Sequence, residues 1–309
     1  MRFSPEPQIP SSMNTTARYN MVTKKKRTRL KSLSQGRPPT AKPVRSISSK
    51  ATRNQIRTHH TLQKERVKAL AAGDERKAAA LATEIESQGG IQGYQRASLI
   101  GQQGERGGDS SKILMEWLEP MVPALKELST EGKSFRMLEV GALSLSNACS
   151  KSRLFDVERI DLNSQAEGIT QQDFMERPLP RDELEKFDII SLSLVLNYVP
   201  DPLGRGRMLL QTLKFLKSPH YVGQLQDFLP SLFLVLPAPC VANSRYLDEK
   251  KLEVIMESLN YVNVRKKLSN KLVYYLWRMK TSTSKRTPIF KKEEIRSGKS
   301  RNNFAIVLR

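Results

Sequence analysis

Apolar positions along the chain fall into two regimes, and the change comes near residue 50. Residues 1–49 are rich in Ser, Thr, Pro and basic residues and show no hydrophobic period. Such a segment cannot bury a core and is expected to be a disordered tail. From about Lys50 the period turns helical, through Ile56, Leu62, Val67 and Leu70 and then from Ala78 to Ile85, with a break at Gly73-Asp74. This predicts two helices joined by a short turn and ending before Gly89-Gly90. Gly93 to Gly108 is polar and Gly-rich, and no element is assigned to it. Asp109 or a neighbouring Ser can cap a helix that begins near Lys112 and presents Ile113, Leu114, Trp117 and Leu118, until Pro120 stops or kinks it.

Beyond that point short apolar runs alternate with helical patterns. Strands are predicted over Arg136 to Val140, Val157 to Leu162, a short third ending at Asp173-Phe174, Phe187 to Leu196 and Leu232 to Leu236. Helices are predicted over Arg207 to Leu216 and Leu247 to Leu259, and last strands over Lys271 to Trp277 and Asn303 to Leu308. Near-continuous apolar strands alternating with helices indicate an α/β domain with a parallel sheet covered on both faces. The resulting organisation is a basic tail (1–49), a helical extension (50–110) and an α/β domain (111–309) that contains a basic loop at 278–302.

Charge sharpens that division. The net charge is +21, yet residues 51–277 hold 30 basic against 28 acidic residues. Residues 1–50 carry 12 Lys/Arg against one Glu, and residues 278–309 carry 10 against two. A near-neutral body with two basic segments suits contact with a polyanion through its phosphates. A solubilising tail or a nuclear import signal explains the same charge, and Lys24 to Lys31 reads as a nuclear localisation patch. Cys149 and Cys240 are far apart, and with three His (His59 and His60 adjacent) they fit no zinc spacing. Both read as buried thiols in a reducing compartment. No metal is expected, and no apolar run reaches membrane-spanning length.

The candidate chemistry sits on the strand ends. In doubly wound sheets ligands bind outside the carboxyl ends of the strands at the switch point. Gly141 lets the backbone approach a ligand after the first strand, and Asp161, 20 residues later, offers a carboxylate to two ribose hydroxyls. The loop Gly141-Ala142-Leu143-Ser144-Leu145-Ser146-Asn147 has a single Gly, a poor cradle for the pyrophosphate of a dinucleotide. S-adenosylmethionine carries no phosphate and is the favoured ligand over a nicotinamide dinucleotide. Asp173 and Phe174 suit its adenine, by a carboxylate for the exocyclic amine and a ring or backbone amide beside the base. A surface Asp with a core Phe is the plain alternative. Ser191 can face the cofactor, and Asn197 and Tyr198 can meet a substrate, although Tyr198 suits a core equally.

Several blocks carry a resemblance: Gln95-Arg96-Ala97-Ser98, Glu105-Arg106-Gly107-Gly108-Asp109-Ser110-Ser111-Lys112, Leu138-Glu139-Val140-Gly141-Ala142, Ile160-Asp161-Leu162-Asn163 and Gln172-Asp173-Phe174-Met175-Glu176. Ser191 to Asn197, Leu236-Pro237-Ala238-Pro239-Cys240 and Asn243-Ser244-Arg245-Tyr246 continue it. From about Lys50 to Leu308 the chain resembles the fungal large-subunit (25S) ribosomal RNA adenine-N(1) methyltransferase family. The resemblance implies a Rossmann-like class I S-adenosylmethionine-dependent methyltransferase fold with an N-terminal helical extension, and an enzyme of the nucleus and nucleolus acting in ribosome biogenesis. It implies that Gly141 and Asp161 contact the cofactor, that Asp173, Phe174 and Ser191 line the same pocket, and that Arg106 pairs with the methionine carboxylate. Large-subunit rRNA or a preribosome is the expected partner.

Methylation of N1 of adenine needs little acid–base machinery, because the ring nitrogen has a free lone pair at neutral pH. Positioning is the main requirement. The base must be single-stranded or flipped out, with Asn197 hydrogen-bonding its edge and Tyr198 stacking or packing nearby. The segments 24–45 and 278–302 would hold the RNA backbone. A rival reading comes from an animal relative that shares the methyltransferase core and serves as an S-adenosylmethionine sensor acting through protein partners.

Overall fold

The computed structural model describes residues 49–102, 108–130, 132, 134–164, 166–281 and 289–309. The expected tail, apart from Ser49, and the expected ligand Arg106 lie outside the described residues, as does 282–288 of the basic loop.

Three helices open the described chain: α1 (Ser49–Ala71), α2 (Glu75–Ser87) and α3 (Gly90–Gln102). The break at Gly73-Asp74 is chemically specified. Gly73 takes φ +72°, and Asp74 Oδ1 accepts from the Lys77 amide at 3.0 Å to cap α2. α3 covers the polar stretch to which the sequence assigned no element. Its helical state is supported by docking, since Gln95 and Ala97 are buried. Ser110 stands at the N-cap of α4 (Ser111–Leu118) without a side-chain cap bond, and Asp109 Oδ1 just ahead of it accepts from the Ser111 amide at 2.9 Å. Around Pro120 the chain makes a 3₁₀ turn, Glu119–Met121, before α5 (Val122–Thr130).

The sheet follows: β1 (Arg136–Val140), α6 (Ala148–Ser152), β2 (Asp156–Asp161), β3 (Thr170–Gln171), β4 (Ile189–Ser193), α7 (Pro202–Phe215), β5 (Ser231–Pro237), α8 (Pro239–Ala242), α9 (Glu249–Ser258), β6 (Tyr261–Leu268) and β7 (Leu272–Met279). The strand order is β3-β2-β1-β4-β5-β7-β6. β1 to β5 are parallel, whereas β7 runs antiparallel to both β5 and β6. The sheet is therefore mixed: β1 to β5 keep the expected parallel, Rossmann-like arrangement, and β7 and β6 add antiparallel strands at one edge. The chain leaves β1 outward through β2 and β3, then crosses to β4 on the other side of β1. That reversal places the switch point between β1 and β4.

Strand alternation sends Leu138, Val140, Ile190 and Leu192 to the core beneath α7 and α9, and Met137 and Ile189 to the core beneath α4 and α5. Glu139 and Ser191, paired across β1 and β4, share the second face.

Asn303 to Leu308 is not a sheet strand. It forms a strap, buried from Phe304 to Leu308, whose backbone makes isolated bridges at Ser244↔Asn302 and Phe290↔Leu308 instead of joining the sheet. The strap lies on α7 at Gly206, where a Cβ would come within 1.9 Å of the Val307 carbonyl oxygen. Arg205 fastens it by donating from Nη1 to the Ala305 carbonyl at 2.7 Å.

Candidate cofactor and base site

The loop after β1 is tied down at both ends. Gly141 adopts φ +74°, and a Cβ there would meet Val195 Cγ2 at 2.7 Å, so both conformation and space call for glycine. Its amide and that of Ala142 donate to the Ile160 carbonyl at 2.8 and 3.1 Å. At the far end Asn147 caps α6, with Oδ1 accepting from the Ser150 amide, and donates from Nδ2 to both oxygens of Glu139 at 2.7 and 2.8 Å. Burial pushes the Glu139 carboxyl above the usual range, against the pull of Asn147 and Arg159. Asp109 braces this loop from α4 by accepting the Ala148 amide at 2.6 Å on Oδ2.

Asp161 ends β2 across from this loop. Its Oδ1 accepts from the Asn163 amide at 2.9 Å and from Gln95 Nε2 at 3.1 Å. Gln95 also donates to the Asn163 carbonyl and accepts from Asn163 Nδ2 at 2.9 Å. Burial raises the Asp161 carboxyl above its ordinary value, with those hydrogen bonds working in the opposite direction. Gln95 and Asn163 were not among the expected site residues, although both stand in the motif blocks that carry the resemblance. The side chain of α3 that holds the acidic strand end was thus visible as a motif but had no role attached to it.

The end of β4 supplies the third wall. Ser191 is buried in the strand interior, and Ser193 Oγ lies 2.8 Å from Ser110 Oγ ahead of α4. Leu194 then takes φ +59°, a conformation costly for a branched side chain. In the turn that follows, Asn197 Oδ1 is buried with no hydrogen-bond partner. Tyr198 enters an aromatic cluster with His60 of α1 (ring centroids 4.2 Å apart, stacked) and Tyr94 of α3 (5.5 Å, edge-on). His59 stacks on Tyr94 at 4.9 Å. The His59-His60 pair, which the sequence tested only as a zinc ligand, thus lies at the mouth of the sheet. Burial, followed by the charges of His59 and Lys64, lowers the His60 pKa to about 3.

The structure brings together Gly141, Asp161, Ser191, Asn197 and Tyr198 around the switch point. Phe174 is placed otherwise than as a pocket ring: it is 2% exposed, with its ring 5.5 Å from Phe215 in the core. Asp173 is exposed and accepts from the Met175 amide at 2.8 Å. Cys149 and Cys240 are free and buried, and burial raises each thiol to about 12. Among the described residues no group of His, Cys, Asp and Glu could hold a metal, and no helix is long and apolar enough to cross a membrane.

The Asn243-Ser244-Arg245-Tyr246 block is a clip for the strap. Ser244 Oγ donates to the Phe304 carbonyl, and Arg245 donates to Gly298 O and Asn303 Oδ1. From the basic loop, Arg296 turns inward to the carbonyls of Val241, Ser244 and Leu247. Arg296 is thereby half-buried and engaged by the protein's own carbonyls, whereas Lys291, Lys292 and Lys299 are exposed.

The donor set fits S-adenosylmethionine. It offers a single glycine at positive φ with no phosphate cradle, a desolvated carboxylate at the second strand end, and a polar wall on β4.

The family model described as 25S rRNA (adenine(2142)-N(1))-methyltransferase, Bmt2, matches residues 79–306. The 25S rRNA adenine-N(1) methyltransferase of Schizosaccharomyces pombe is 41% identical over 252 residues, covering 81% of this chain and 89% of that protein. The 25S rRNA (adenine(2142)-N(1))-methyltransferase of Saccharomyces cerevisiae is 39% identical over 226 residues, covering 73% of this chain and 62% of that protein. Among solved structures, a Burkholderia thailandensis 1,6-didemethyltoxoflavin-N1-methyltransferase overlaps 61% of this chain and 87% of its own at 13% identity and TM-score 0.37. An rRNA methylase from Escherichia coli overlaps 76% and 80% at 14% identity and TM-score 0.31. Scores of that size add nothing to the strand order. The sequence match runs from inside α2 to the C-terminal strap, and on it the chain belongs to the Bmt2 family of 25S rRNA (adenine(2142)-N(1))-methyltransferases.

Proposed function

We propose that this chain transfers a methyl group from S-adenosylmethionine to N1 of an adenine in large-subunit rRNA. The observation that carries this is the family match spanning Gln95, Gly141, Asp161, Asn197 and Tyr198 together, the residues that meet at the switch point. When bound, S-adenosylmethionine supplies a methyl group activated by its sulfonium. The protein's own work is then positional. Asp161, fixed by Gln95 and Asn163, accepts from ribose hydroxyls, and Gly141 admits the ligand against the loop. The Phe174 amide and Asp173 flank the adenine, Ser191 lines the floor, and Arg106 meets the methionine carboxylate.

On the acceptor side Asn197 Oδ1 takes a hydrogen bond from the exocyclic amine of the target base, and Tyr198 stacks on its ring. N1 then keeps its lone pair for the incoming methyl, and no general base is required. In-line positioning of this kind supplies about 7–11 kcal/mol in favourable cases. The basic segments 24–45 and 278–302 hold the RNA backbone, through residues such as Lys291 and Lys299 rather than Arg296. A preribosomal substrate and a nucleolar location follow from the same reading, supported by the Lys24 to Lys31 run.

The test is transfer of labelled methyl from S-adenosylmethionine to large-subunit rRNA lacking the modification, with the product mapped as 1-methyladenosine. Cofactor binding without transfer to any adenine N1 would overturn the proposal.

A further inference from the structure

Two polar atoms beside the turn after β4, one from that turn and one from α1, are left unused by the protein itself. Asn197 Oδ1 is buried without a partner, and so is Nε2 of His60, whose ring covers one face of Tyr198. A buried heteroatom with no partner forfeits its hydration and regains nothing, so native interiors contain few of them. Here two occur at one ring, because Asn197 is the chain neighbour of Tyr198 and His60 stacks upon it.

The ring geometry restricts what a substrate can do. The centroids of His60 and Tyr198 are 4.2 Å apart at an interplanar angle of 28°, a single stacking interval with no room for a third ring. Tyr94 meets both of them edge-on, at 5.4 and 5.5 Å and 79° in each case, and so closes a side of the stack. A flat nitrogen heterocycle, held uncharged by burial, therefore occupies the face of Tyr198 on which an extruded base would stack.

We propose that His60 is a stand-in for the target adenine, and that the extruded base displaces the imidazole from Tyr198 and offers its amino group to Asn197. The inference rests on the reading that the 197–198 turn receives the substrate base. It adds that α1 of the helical extension keeps the base site filled until RNA arrives. The exchange satisfies both idle atoms: Asn197 Oδ1 gains the adenine amine, and His60 Nε2 gains water. The titratable and aromatic neighbours of His60 are His59, Lys64, Tyr94 and Tyr198. Once displaced, the imidazole leaves the desolvating cluster and returns to ordinary titration.

The chain has only three His, so its imidazole nuclear magnetic resonance spectrum is simple to read. The experiment uses the full chain and a short RNA spanning the target adenine. Free protein should show a His60 ring that stays neutral from pH 7 to pH 5, and RNA binding should bring its midpoint to about 6.5. In methyl transfer, His60→Ala removes the competitor and should lower the RNA KM about threefold, with kcat and cofactor Kd unchanged. His60→Phe stacks without an idle nitrogen and should raise the RNA KM about tenfold.

A His60 signal unmoved by bound RNA overturns the proposal. So does a tenfold loss of kcat/KM in His60→Ala at unchanged cofactor affinity, which would make His60 a lasting wall of the site. If the wild-type protein transfers no methyl, the functional reading fails by itself, and the His60 titration in the presence of RNA still decides the exchange.

Discussion

The two ends of β4 are built from similar residue types and used in opposite ways. Just before its amino end, Asp188 is 1% exposed and fully engaged. It accepts from the Arg136 amide at 2.7 Å, from Lys217 Nζ at 2.8 Å and from the Tyr221 hydroxyl at 2.6 Å. Beside it Glu158 pairs with both Arg136 and Arg177. At the carboxyl end two buried atoms have no partner, Leu194 and Gly141 sit at positive φ, and burial raises the carboxyls of Glu139 and Asp161. At the amino end the carboxylates are saturated by the protein's own donors, with Ser231 Oγ on the neighbouring strand buried without a partner. The other end carries strain and idle polar groups, which a fold retains where a ligand completes the site.

Breaking the saturated end should produce the largest effect, and on stability alone. Asp188→Ala strands Lys217 and the Arg136 amide and should cost about 3–5 kcal/mol in chemical denaturation, with cofactor Kd within about twofold at temperatures where the variant stays folded. If cofactor affinity collapses as well, the two ends are coupled and the contrast fails. At the open end Asp161→Asn keeps the shape and removes the charge. Calorimetry should show cofactor binding weakened by about 1.5–3 kcal/mol, roughly 10–150-fold, with little change in unfolding. Gly141→Ala should lose about 1–2 kcal/mol from the left-handed backbone alone. Cofactor affinity should fall with it, and Val195→Ala in the same chain should restore part of the loss by relieving the 2.7 Å contact.

Protonation offers a finer cut. The unfolded chain protonates His60 near pH 6.5, whereas the folded chain resists until about pH 3. The unfolded state therefore binds the extra proton between these values, and stability falls as pH drops below about 6.5, by up to about 1.4 kcal/mol per pH unit from this group. Comparing denaturation of wild type and His60→Phe across pH 4–7 should isolate that slope; identical slopes would mean that the ring is not desolvated. The smallest effect should come from Gln95→Leu. Loss of its hydrogen bonds to Asp161 and Asn163 should cost about 1 kcal/mol. It should also raise the Asp161 carboxyl further, so that cofactor affinity declines at a higher pH than in wild type.

These residues differ in how readable they were. β1 coincides with the predicted Arg136 to Val140, and β2 and β5 lie within a residue of their predictions, because apolar runs closed by Gly, Asp or Pro state both composition and end. Gly141 and Asp161 were legible for the same reason, since their spacing is local. α3 was not, because its sequence is polar and rich in glycine and its helix depends on docking through Gln95 and Ala97. β6 was missed as well: it is the edge strand, and Arg265, Lys266 and Lys267 make it read as loop although each pairs with β7. Asn303 to Leu308 was read as a strand because an apolar run announces burial without naming its partner. The partner is α7, which accepts it at Gly206.

By itself, the sequence determined which segments are buried, the strand–glycine and strand–aspartate spacing on which the proposed cofactor site is built, and the separation of a near-neutral body from basic segments. Those properties are written along the chain itself, in period, spacing and charge. The tertiary structure alone decided that Gln95 holds Asp161 across 66 positions of chain, that the last two sheet strands form an antiparallel pair, and that His60 lies on Tyr198. Such contacts depend on which buried face meets which, and a local pattern records that a face is apolar without recording what covers it.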